Sequence, residues 1–173
     1  MNCILFRHGI AEEREEWKGN DADRPLTEKG AKRIIQTARG LLSLGVIPTH
    51  FLTSPLTRAH ETALLLQKIL GGKVTVRSCD ELLPGASPEK ILPLLQALPS
   101  QASAICVGHE PHLGEAAGLL LFGKPAPGLR FKKAGACLIE MPNPIKAGHG
   151  RLQWWLKPGQ LRMMGKSSGD TAD

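Results

Sequence analysis

The chain predicts one α/β domain built on a mainly parallel sheet with helices on both faces, and three observations carry that prediction. Apolar, strand-like runs at about 3–7, 50–53, 73–77 and 103–107 alternate with amphipathic helical patterns at about 27–44, 57–70, 88–97 and 111–121. Alternation of this kind is the pattern of parallel strands joined by helical crossovers. The length, 173 residues, suffices for one sizeable core and is short for two. Two last strand candidates, 135–141 and 151–157, flank the turn-rich stretch from Pro142 to Gly150, which predicts a hairpin-like pair at the sheet edge.

Each element has a local reason. Cys3-Ile4-Leu5-Phe6 is a short continuous apolar run, as a strand buried on both faces requires, and it stops at Arg7-His8-Gly9. The first helix has Thr27 as its N-cap, behind Pro25 and Leu26, and Gly45 placed to end it. From Gly159 onward the chain is polar and rich in small residues, so the domain is expected to span 1–158 and residues 159–173 to form a flexible tail.

Composition narrows the partners. A net charge of +6 favours something anionic: a phosphorylated substrate, an acidic protein surface or nucleic acid. Nucleic acid ranks low, because the chain has no tyrosine and only 4% aromatic residues to stack bases. Apolar runs such as 116–122 are too short to span a bilayer, so a cytoplasmic protein without membrane partners is expected. Cys3, Cys79, Cys106 and Cys137 form no CxxC pair and read as core thiols of a reducing compartment. Oligomeric state leaves no mark in the sequence.

The chemistry gathers where strands end. In open α/β sheets ligands bind beyond the carboxyl ends of the strands. Arg7 and His8 follow the first strand, Arg58 the second and His109 the fourth, so cationic and imidazole side chains meet on one rim. Two guanidinium forks match the oxygens of a phosphoryl group, and they supply fixed positive charge without a metal. A neutral imidazole at His8 is a competent nucleophile toward phosphorus. No cofactor and no metal is expected, since these positions offer no oxygen or sulfur ligand set.

Four segments in this order, Arg7-His8-Gly9, Leu26-Thr27-Glu28-Lys29-Gly30, Thr53-Ser54-Pro55-Leu56-Thr57-Arg58-Ala59-His60-Glu61-Thr62-Ala63 and Val107-Gly108-His109-Glu110-Pro111, resemble the histidine phosphatase superfamily from Met1 to about Leu121. The resemblance implies a phosphoglycerate mutase-like fold and a phosphate pocket of Arg7, His8, Arg58 and His109, with His8 phosphorylated and His109 assisting. It also implies a proton donor, and Glu81, four residues before Gly85, has the spacing; Asp80 is its rival. Within the superfamily the compact chain is most similar to phosphohistidine phosphatases of the SixA group. A phosphoglycerate mutase or a small-molecule phosphomonoesterase is the alternative, and a non-catalytic phosphate-recognition module ranks third. The expected partner is a protein carrying phosphohistidine or a small phosphorylated substrate.

Other patterns have plainer readings. His109 and His112 lack a third ligand cluster for a metal, and His112 is expected on a helix surface. Gly165-Lys166-Ser167 imitates the end of a P-loop, but Gln160 stands where the first glycine belongs. His50, His60 and His149 have no partner pattern, and Lys132 and Lys133 extend the basic rim or are simply solvated.

Overall fold

A computed structural model of the chain describes residues 1–126 and 128–167. Strands β1 (Asn2–Arg7), β2 (His50–Thr53), β3 (Val76–Ser78), β4 (Ser103–Gly108), β5 (Ala136–Glu140) and β6 (Arg151–Leu156) form one sheet in the order β3-β2-β4-β1-β5-β6. The members β3, β2, β4 and β1 are parallel, and β5 and β6 add an antiparallel pair at one edge, as expected. The helices are α1 (Glu28–Ser43), α2 (Thr57–Leu70), α3 (Ile91–Gln96), α4 (His112–Phe122) and α5 (Pro158–Ser167). This is the single α/β domain on a mainly parallel sheet, with helices on both faces, that the sequence predicts.

The period-two alternation of β1 sorts the core onto two faces. Cys3 and Leu5 join Cys106 and Cys137 in the layer under α3 and α4, whose Leu94, Leu95, Leu113 and Ala117 fill it. Ile4 and Phe6 join Ile105 and Val107 in the layer under α1, α2 and α5, which contribute Ile34, Leu41, Ala63 and Leu161. All four cysteines are free and buried, in keeping with their reading as core thiols.

Thr27 caps α1, its Oγ1 accepting from Gly30 N at 2.9 Å. Gly30 is also needed for close packing. A Cβ there would stand 2.0 Å from the Ile10 carbonyl oxygen, so only glycine lets the helix dock on the chain leaving β1.

Three expectations are corrected. Residues 159–167 are not a frayed tail but belong to α5; residues 168–173 lie outside the described residues. The helix is held by tertiary contact: Leu161 is fully buried, and Gly40 of α1 lets the two backbones approach so closely that a Cβ would lie 1.9 Å from Leu161 O. Strand β3 starts at Val76 rather than 73, because Gly71 and Gly72 carry the chain through a turn in which Val74 N donates to Gly71 O. His112, expected at a helix surface, is fully buried, because α4 is apolar on nearly every side and buried over most of its circumference, leaving the stripe of Glu115 and Phe122 toward solvent. Among the described residues no helix is long and apolar enough to cross a membrane.

Candidate active site

The sheet reverses its winding between β1 and β4. These strands are neighbours, but the chain leaving β1 enters α1 on one face and the chain leaving β4 enters α4 on the other. A crevice must open between the diverging loops, and ligands of α/β sheets bind there. The parallel register pairs Arg7 with Gly108 and continues one step further, His8 N donating to Gly108 O at 3.1 Å. His8 and His109 therefore emerge side by side, with ring centroids 4.9 Å apart. Ser54 joins them from β2, its N–H donating to Val107 O at 2.9 Å.

Each member of the cluster is held. His8 Nδ1 lies 2.7 Å from Gly9 O, an acceptor only, so Nδ1 carries the proton and the lone pair is on Nε2. Arg7 Nη1 donates to Phe131 O at 2.7 Å, while Arg58 Nη1 and Nη2 donate to Asp21 O at 2.8 Å and Asp21 Oδ2 at 3.2 Å. Among the described residues both arginines nevertheless keep a buried Nε–H with no hydrogen-bond partner. Unsatisfied buried donors are costly, and two cationic ones beside two imidazoles describe a site made for an anion.

Electrostatics keep the imidazoles neutral. Burial above all, then the charges of Arg58, Arg7 and Lys133, depress His8 to about 3, against the pull of its bond to Gly9 O. His109 is depressed to about 2, by burial first and then by His8 and Arg58. An unfolded histidine titrates near 6.5, so between that pH and about 3 the unfolded chain binds protons that folded His8 and His109 refuse. Stability is therefore expected to fall as pH drops through this window. Urea midpoints at pH 7.5 and 5 should show the fall, and replacing both histidines by asparagine should reduce it; an unchanged pH slope in the double variant would place the titration elsewhere.

Several supporting residues carried no signal of their own in the sequence. Asp21, from the loop between β1 and α1, reaches Arg58 across 37 positions and also pairs with Arg24 at 3.0 Å. Thr62 Oγ1 accepts from Gly9 N at 3.1 Å and donates to Arg58 O at 2.7 Å, tying the chain beyond His8 to the helix that carries Arg58. Ala134 braces the end of β1 from the other side, its N–H shared between Arg7 O and His8 O. It does so at a φ of 64°, a left-handed conformation that costs a non-glycine residue roughly 1–2 kcal/mol. Glu61 Oε2 accepts from Leu26 N at 2.7 Å and closes the base of the same loop. The one pattern that pointed to these residues was the order of the motifs containing Thr62 and Glu61.

Glu81 stands in a single turn, Asp80–Leu82, beyond β3 and is half-buried, whereas Asp80 is exposed. That turn abuts the end of β4, with Leu82 O 3.4 Å from where a side chain at Gly108 would begin. Glu81 lines a cleft of about 560 Å³ with Arg77, Asp80 and Pro93. Among the described residues no hydrogen bond or ion pair joins it to the histidine and arginine cluster, and no group of histidine, cysteine and carboxylate side chains could hold a metal ion. Lys133 acts on His8 by its charge; Lys132 is exposed.

Comparison with known proteins agrees with this geometry. The family model of the histidine phosphatase superfamily (branch 1) matches residues 3–83. An uncharacterized protein of Picosynechococcus sp. PCC 7002 is 41% identical over 157 residues, covering 88% of this chain and 89% of its own length. A probable phosphoglycerate mutase of Cronobacter sakazakii is 33% identical over 84 residues, covering 48% of this chain and 35% of its own. Among solved structures, the protein histidine phosphatase SixA complexed with tungstate superposes with a TM-score of 0.81 at 26% identity, covering 93% of this chain and 99% of that one.

Proposed function

The chain belongs to the histidine phosphatase superfamily and is a hydrolytic phosphatase, and we propose that it removes the phosphoryl group from a phosphohistidine on a partner protein, through a covalent intermediate on His8. The observation that carries the mechanism is the 2.7 Å bond from His8 Nδ1 to Gly9 O, which leaves the nucleophilic lone pair on Nε2 beside two unpartnered guanidinium N–H groups. In the first step the Nε2 lone pair attacks phosphorus, the bond from phosphorus to the substrate's ring nitrogen breaks, and that nitrogen takes up a proton from solvent as the ring leaves. In the second, water attacks phosphorus and returns a proton to solvent, the bond to Nε2 breaks with its electron pair restored to that nitrogen, and inorganic phosphate departs. Arg7 and Arg58 hold the non-bridging oxygens through both steps, and His109 donates a hydrogen bond to one of them.

The phosphohistidine substrate is supported by the likeness to SixA over nearly the whole of both chains, and by a net charge of +6 that suits an acidic partner. The second reading, a small-molecule phosphomonoesterase or mutase, draws on the likeness of about half the chain to a probable phosphoglycerate mutase. The two differ at the leaving group. An alkoxide needs an acid far more than an imidazole does, and Glu81 is the candidate acid, so its replacement discriminates.

The test is kcat/KM on a phosphohistidine protein, a phosphoserine peptide, phosphoglycerates and an aryl phosphate, for wild type and Glu81→Gln, with a chelator present. The phosphohistidine protein should be the best substrate, activity should survive chelation, and Glu81→Gln should slow esters more than phosphohistidine. Faster turnover of an ester or a phosphoglycerate gives the second reading precedence.

A further inference from the structure

Ser54 is fully buried at the end of β2, and its Oγ lies 2.8 Å from His109 Nε2. The same Oγ accepts from Leu56 N at 3.3 Å, in the turn that opens into α2. The hydroxyl has one proton to give, and among the described residues His109 Nε2 is its one acceptor. Were His109 to carry its proton on Nε2 and donate it to Oγ, the serine proton would be buried without a partner, at a cost of about 1–3 kcal/mol. The opposite arrangement satisfies every group: Leu56 N–H donates to Oγ, Oγ–H donates to Nε2, and His109 keeps its proton on Nδ1.

From this we infer that Ser54 is a positioning residue of the reaction. It selects the tautomer of His109 in which a neutral ring points Nδ1–H away from the serine and toward the phosphoryl oxygens. The inference deepens the reading above and rests on it for the identity of the ligand, but the tautomer itself does not. A neutral histidine has one N–H, and a histidine depressed as far as His109 cannot gain a second in the free protein. Whether that N–H faces the phosphoryl group or the protein wall is then decided by what holds the other nitrogen. Ser54 also explains why the segment before Arg58 carries a hydroxyl on a buried residue: it links the second strand to the histidine delivered by the fourth.

The deciding measurement is the ¹⁵N–¹H correlation pattern of His109 in the ligand-free wild-type protein at neutral pH, assigned by its loss in His109→Gln. The expected pattern shows protonated Nδ1 and unprotonated Nε2; protonated Nε2 would overturn the inference whatever the enzyme's activity. In Ser54→Ala the pattern should become mixed or invert, and kcat on an aryl phosphate should fall about 10- to 100-fold, the scale of one misdirected donor, with KM changing less. Ser54→Thr, which keeps the hydroxyl, should restore both the tautomer and most of kcat. A Ser54→Ala protein with the wild-type His109 pattern would likewise overturn the inference. If instead no phosphate ester or phosphohistidine is turned over while Nδ1 is protonated as expected, the proposed function fails and the tautomer assignment stands.

Discussion

His8→Ala is expected to abolish turnover of every phosphorylated substrate, by about four orders of magnitude or more, while the fold remains intact. The size of the effect follows from the group removed. His8 Nε2 is the atom to which the phosphoryl group is transferred, and loss of a covalent nucleophile leaves only the binding charges to assist water. The fold should survive because, among the described residues, the ring's one hydrogen bond is to the neighbouring Gly9 carbonyl, whereas the backbone N–H that continues the register to Gly108 O is kept by alanine. The check has two parts. Brief exposure of the wild type to labelled substrate, followed by denaturation in base, should trap an acid-labile phosphoramidate that is absent from the variant. Turnover retained by His8→Ala, or label still trapped on it, would move the nucleophile to another residue.

What could be read from the sequence and what could not divide along a physical line. Strand and helix positions were legible because burial on a sheet face or a helix stripe imposes a period on the side chains. The convergence of Arg7, His8, Arg58 and His109 was legible for a related reason: parallel strands deliver their carboxyl ends to one rim, whatever their order. The strand order itself was hidden, and with it the adjacency of β1 and β4 that sets the two imidazoles 4.9 Å apart. Helix α5 escaped because Gly159 and Gly165 offset the good helix formers between them and ten residues are too few to hold a helix alone; its reason to fold is a groove on α1 opened by Gly40, more than a hundred residues away. His112 escaped because an almost wholly apolar helix has no polar face to mark where a histidine points. Asp21, Thr62 and Ser54 act through hydrogen bonds to residues remote in sequence or on another strand, and no spacing rule encodes such pairings.

Arg58 is where the second large effect is expected. Its guanidinium serves two partners. Nη1 and Nη2 are held by Asp21, through the main-chain oxygen at 2.8 Å and Oδ2 at 3.2 Å, while the buried Nε–H is left open for a ligand. A fork anchored at one edge and open at the other costs little to reorganise when a phosphoryl oxygen arrives, which is the condition under which a charge stabilises a transition state most. Removal in Arg58→Ala should cost about 2–4 kcal/mol of transition-state stabilisation, or two to three orders of magnitude in kcat/KM. Arg58→Lys tests whether geometry or charge matters. A lysine retains the charge, but its three donors radiate from one nitrogen and do not span the two edges of a planar fork that keeps Asp21 and grips phosphate at once, so it should recover only a small part of the loss. Because Arg58 is buried against Asp21, a general loss of structure has to be separated from a loss of ligand binding. Inorganic phosphate provides the control: it should raise the melting temperature of the wild type, as any ligand of the folded state does, and should fail to raise that of Arg58→Lys even where the unliganded melting temperatures agree. Wild-type phosphate protection or near wild-type kcat/KM in Arg58→Lys would show that the guanidinium is a structural partner of Asp21 and nothing more.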